Sequence, residues 1–154
     1  MKTKLTILTF LLLNILTYSE IRYVSPQGSN TIPFISWATA SRTIQGCIDV
    51  SSPGDTIYVG NGVYKEVVTM ISKLALIGSG IDSCMINSRD FAQPSNFYAV
   101  YLEDSCYIRG FRINVSKERW GVGVVTNFYN EINNVLIENM NLTNAYYGVN
   151  IPKG

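Results

Sequence analysis

The chain has 154 residues, 47% of them hydrophobic and 15% charged, which supplies one packed domain and is too apolar for a disordered chain. Its formal net charge is +1 and it contains no histidine. A histidine general base and imidazole metal sites are thereby excluded, and no clustered basic face points to nucleic acid.

Lys2 and Lys4 precede an apolar run from Leu5 to Leu16, and Thr17-Tyr18-Ser19 places small residues one and three positions before Glu20. That layout predicts a secretory signal peptide over residues 1–19. The apolar run is short of the roughly twenty residues that a spanning helix needs. The expected product is secreted or held at the cell surface, with no membrane span after signal removal. Loss of Lys2 and Lys4 leaves ten basic against eleven acidic residues. Three cysteines permit at most one disulfide within the chain.

Residues 20–55 are expected to form an entry strand, a loop and a helix. Ile21 to Val24 is β-prone, and Pro26, Gly28, Asn30 and Pro33 then punctuate a loop. Within WATASRTIQGCIDVSSPGD, Ala40, Ile44, Cys47 and Ile48 fall at helical spacing, and the breakers Ser51, Ser52, Pro53 and Gly54 follow Val50. Cys47 belongs to the apolar stripe and reads as a small buried residue.

Residues 56–154 show no helical periodicity. Short β-prone segments succeed one another: TIYVG, VVTMI, LALIG, SCMIN, FYAVYL, CYIRGFRINV, GVGVVT, NVLIENMNLT and YYGVNI. Two series interleave. One is centred on Val100, Val124 and Val149, with steps of 24 and 25, and the other runs through Ile86, Ile108 and Ile137, with steps of 22 and 29. A period near 25 that contains several strands predicts an all-β solenoid, a parallel β-helix with one N-terminal capping α-helix. Equivalent residues then stack about 4.8 Å apart, which suits asparagine ladders at the bends; Asn114, Asn127, Asn130, Asn133, Asn134, Asn139, Asn141, Asn144 and Asn150 are candidates. The repeated DSCMI and DSCYI favour a 22-residue register that sets Cys84 near Cys106 as two buried thiols. A competing register pairs Leu76 with Ile108, 32 positions on.

Pro53-Gly54-Asp55, Gly62-Val63-Tyr64-Lys65-Glu66 and Ile77-Gly78-Ser79-Gly80 extend this picture. With the preceding helix they resemble the N-terminal part of right-handed parallel β-helix proteins of the pectin-lyase-like superfamily, over about residues 22–154. The resemblance gives Ile44, Cys47, Ile48, Gly54, Asp55, Gly62, Tyr64, Glu66, Gly78 and Gly80 structural roles. It implies polysaccharide as a partner. Lyases of this shape use calcium held by acidic residues with an Arg or Lys base, hydrolases clustered carboxylates, and pectin esterases an aspartate pair.

No complete catalytic motif is legible here, and no cofactor is evident; calcium is expected only if further rungs supply ligands. The stretch Lys117-Glu118-Arg119-Trp120, between rungs, offers cations and an aromatic ring for carbohydrate contact, and Tyr146-Tyr147 offers the same. For both, an ordinary exposed loop is the competing reading. The favoured function is an exported β-helix scaffold, carbohydrate-associated or surface-displayed. The alternatives are the N-terminal part of a polysaccharide lyase, glycoside hydrolase or carbohydrate esterase, and an adhesin or autotransporter-like passenger. YYGVNIPKG lacks a polar capping rung, which predicts that the remainder of a longer chain follows.

Overall fold

The computed structural model describes residues 19–90, 98–115, 121–126 and 132–151. The expected signal segment lies outside them except for Ser19. The described chain is dominated by parallel β-structure with little helix. Its elements are β1 (Ile21–Val24), α1 (Ile44–Ile48), β2 (Thr56–Val59), β3 (Gly62–Tyr64), β4 (Val68–Thr69), β5 (Ala75–Gly78), β6 (Cys84–Asn87), β7 (Tyr98–Leu102), β8 (Tyr107–Asn114), β9 (Val122–Thr126), β10 (Leu136–Thr143) and β11 (Tyr147–Asn150).

Every pairing among these strands is parallel, and the pairs fall into three columns. The first is β1-β2-β5 followed by the early halves of β8 and β10. The second is β3-β6 followed by the late halves of β8 and β10. The third is β4-β7-β9-β11. Parallel neighbours so close in sequence need the chain to travel back between them; from β1 to β2 it does so through a loop and α1, and from β2 onward through strands belonging to the other two columns.

Register explains the sequence pattern. Ile57, Leu76, Ile108 and Ile137 stack in the first column, Tyr64, Ile86, Ile113 and Leu142 in the second, and Val68, Val100, Val124 and Val149 in the third. The members of these rows up to β9 are buried in one core cluster. Each such side chain contributes about 1.5–3 kcal/mol by leaving water. In the first column these positions alternate with outward ones, as the pleat requires; β2 buries Ile57 and Val59 and exposes Tyr58, whereas β9 in the third column is buried throughout.

The series through Val100, Val124 and Val149 is the observed register of the third column. The 22-residue register for the cysteines is corrected. Leu76 pairs with Ile108, Cys84 stands opposite Gly62, and Ile86 stands opposite Ile113. Cys84 opens a second-column strand, whereas Cys106 leads into a first-column strand, its successor Tyr107 donating to the carbonyl of Leu74. The repeated letters therefore lie on different sides of the core. All three cysteines are free and buried.

The helix is shorter than its apolar spacing predicts. Ser41 forms a parallel bridge with Val24, which holds the chain extended, so that Ala40 is buried ahead of α1 rather than within it. Thr43 then starts the helical turn, its hydroxyl accepting from the Gly46 N–H at 3.2 Å.

One close approach fixes how adjacent layers meet. Gly78 and Gly110 lie side by side, and a Cβ on Gly110 would sit 2.5 Å from the Gly78 carbonyl oxygen while Gly110 holds φ at +78°. The turn in mid-β8, which sends one strand into two columns, thus requires glycine on both counts. Gly110→Ala is expected to lower the unfolding free energy by about 2–4 kcal/mol, the combined cost of a left-handed residue and an overpacked contact. A urea-melt midpoint shift without loss of slope measures it.

Candidate functional site

The ionisable groups decide whether chemistry is available. Arg22 tops the inward row of the first column, paired in register with Ile57, and is buried at 7% exposure. Its guanidinium donates to Asp55 Oδ2 at 3.2 Å, to Glu20 Oε2 and to the Pro33 carbonyl. Asp55 also accepts the N–H groups of Glu20 and Ser52, at 2.8 and 2.9 Å, and so closes the Pro53-Gly54-Asp55 turn, in which Gly54 takes φ +101°. Burial alone would raise the Asp55 carboxyl, but those two N–H groups and Arg22 hold it below its ordinary value.

Glu66 is similarly occupied. Its two carboxylate oxygens accept the N–H groups of Ile44 and Gln45, each at 2.8 Å, at the start of α1. With Thr43 these bonds satisfy the first three donors of the helix, which have no partner inside it. Burial raises the Glu66 carboxyl, and its two amide bonds offset that only in part. Asp104 accepts the Asn133 N–H at 2.8 Å and the Ser105 hydroxyl, and those bonds lower its pKa. Asp82 and Arg112 form an exposed ion pair at 3.1 Å, and Tyr107 donates to Glu138 at 2.8 Å. Among the described residues no three acidic or cysteine side chains converge as metal ligands.

The remaining groups are structural in placement. Ile44, Cys47 and Ile48 face the core from α1. Tyr64 is buried with its hydroxyl donating to the Gly60 carbonyl, Gly62 opens β3 against Pro26, and the Gly80 carbonyl accepts the N–H groups of Ser83 and Cys84. Burial pushes the Cys47 thiol up to about 12 and Cys84 to about 11, and raises Cys106 as well. An asparagine ladder runs from Asn87 to Asn114 to Asn144 with side-chain bonds of 3.4 and 2.7 Å. Asn134, Asn139 and Asn144 take positive φ, and the candidates Asn127 and Asn130 lie outside the described residues.

Of the carbohydrate-contact candidates, Lys117, Arg119 and Trp120 lie outside the described residues. Tyr146 and Tyr147 are 64% and 48% exposed, with ring centroids 4.9 Å apart at 77°. Sequence reasoning missed a second aromatic group at the opposite end of the stack. There Tyr23 lies 4.7 Å from Trp37 and 6.2 Å from Tyr58, centroid to centroid. The signal was present in the sequence: IRYV and TIYV each end in Tyr-Val, and the two strands pair in register.

No protein-family model matches the chain, and no curated protein matches it. Among the described residues no helix is long and apolar enough to cross a membrane.

Two outcomes follow for these groups. Because the folded-state pKa of Asp55 is depressed, its stabilising contribution is present above the unfolded value of about 4 and is lost as pH falls through the folded one. Asp55→Asn should cost about 3 kcal/mol at pH 7, the low end for breaking a buried pair since Glu20 still faces Arg22, and should flatten the acid limb of a stability-pH curve. Iodoacetamide at pH 8 should leave Cys47, Cys84 and Cys106 unmodified in the folded protein, and should alkylate all three after denaturation without reductant, read by intact mass.

Proposed function

We propose that the chain is an exported scaffold of parallel β-helix architecture, resembling the pectin-lyase-like group, that associates with carbohydrate and carries no complete catalytic set in its described residues. The architecture is supported by three parallel columns visited in a fixed order and by their inward apolar rows. Placed between the entry loop and the first core layer, α1 serves as the cap of the stack, covering apolar side chains that would otherwise meet water.

One observation carries the non-catalytic part. The carboxylates of Asp55, Glu66 and Asp104 are each bonded to backbone N–H groups, so they hold turns and a helix start instead of facing a substrate. A general acid or base must lie within hydrogen-bond reach of the reacting atom, and these carboxylates are turned towards backbone instead. Polysaccharide contact is supported by aromatic rings left exposed on a rigid surface.

Expression of the full chain with residues 1–19 tests export and activity together. The expected product is cut before Glu20, appears outside the cytoplasm, is retained by polysaccharide and releases neither reducing ends nor unsaturated sugars. Release of either product class at a rate abolished by a point substitution would move the reading to a hydrolase or a lyase.

A further inference from the structure

The outer face of the first column carries a cluster of rings that neither the fold nor the ionisable groups employ. Its outward positions on β1, β2 and β5 are Ile21, Thr56 and Ala75 in one row and Tyr23, Tyr58 and Ile77 in the next. Trp37, from the segment between β1 and α1, lies against Tyr23 at 57° between ring planes, and Tyr23 stacks on Tyr58 at 25°. Trp37 remains 51% exposed and Tyr58 36%.

These rings are held in place. Trp37 sits inside a turn closed by Ser36 and Thr39, each backbone N–H bonding the other's hydroxyl at 3.2 Å. The Ala38 carbonyl accepts from Ser29 and the Thr39 carbonyl from Thr31. The indole edge lies over Gly60, where a Cβ would come within 3.2 Å of Cζ3. Rings fixed before binding lose little side-chain freedom on contact, so more of the contact energy remains as affinity.

We infer that Trp37 and Tyr58, braced by the half-buried Tyr23 that both contact, form a stacking platform for the pyranose rings of a neutral polysaccharide. This rests on the carbohydrate-associated reading above and supplies its binding face. A pyranose presents a face of polarised C–H bonds, which complements the negative π-faces of tyrosine and tryptophan, and its hydroxyl rim meets the phenol groups. Charge selects the class of sugar. None of the six outward positions is ionised at neutral pH; charge begins only further along the same row, at Arg109 beyond Ile77 and then Glu138. Arg22 points inward and is already paired. A polyuronate would therefore find no counter-charge on this platform, whereas an uncharged glycan needs none.

The test is native affinity electrophoresis of the purified full chain in gels containing hydroxyethyl cellulose, soluble xylan or galactomannan, with polygalacturonate as the acidic comparison. The expected result is retardation by at least one neutral polymer, weakened about tenfold or more by Trp37→Ala and by Tyr58→Ala and largely kept by Trp37→Phe. Urea midpoints identify any variant that fails to fold, and Tyr58→Ala, on a regular strand, decides if Trp37→Ala is one. Neutral-polymer retardation that the alanine variants leave intact overturns the platform while the carbohydrate-associated reading stands. Absence of retardation in every gel overturns both. Retardation by polygalacturonate alone overturns the neutral class, and a sedimentation dimer abolished by Trp37→Ala reassigns the face to a second copy of the chain.

Discussion

Parallel stacking in register is the constraint on which everything else in this molecule depends. From β2 onward each strand finds its hydrogen-bond partners in the strands above and below it rather than in the strand next in sequence, so every layer must present a matching inward shape. The rows of Ile57, Leu76 and Ile108 and of Val68, Val100 and Val124 satisfy that demand with side chains of similar size. At the turn within β8 the approach of the Gly78 backbone leaves no room for a side chain on Gly110, whereas the corresponding turn within β10 is made by Asn139 at φ +46°.

Stacking also dictates what happens at the first described layer, where β1 meets β2 on one side and the segment around Ser41 on the other. Arg22 occupies an inward position there and is neutralised by Asp55 and Glu20, while the segment between β1 and α1 folds back so that Tyr23 donates to Phe34 and Ser25 to Ser41. Acidic residues near this end are therefore consumed in holding backbone. Asp55 and Glu66 fasten backbone here, through the N–H groups of Glu20 and Ser52 and of Ile44 and Gln45.

Much of the strand content was legible because short β-prone runs alternate with turn formers, and TIYV, LALIG and CYIRGFRIN fall close to β2, β5 and β8. The register of the third column was legible too, since its loops keep a nearly constant length between Val100, Val124 and Val149. The cysteine register was misread because layers differ in chain length: Leu76 to Ile108 spans 32 residues and Ile86 to Ile113 spans 27. Motif repetition cannot reveal which side of the core a motif faces. The aromatic face escaped for a similar reason, as Trp37 joins Tyr23 and Tyr58 through a loop contact that no strand periodicity encodes. Helix length was overread because apolar spacing at Ala40 and Ile44 is indifferent to the bridge between Val24 and Ser41.

The asparagine ladder of Asn87, Asn114 and Asn144 has a mechanical consequence. Its amide bonds run along the stacking direction, parallel to the backbone bonds between layers, and cross from one layer to the next at a corner. A load that separates layers therefore meets these bonds together with a whole strand's ladder, whereas a load that peels one strand breaks them singly. Parting the described layers at this corner breaks both asparagine bonds together with the strand ladders beside them.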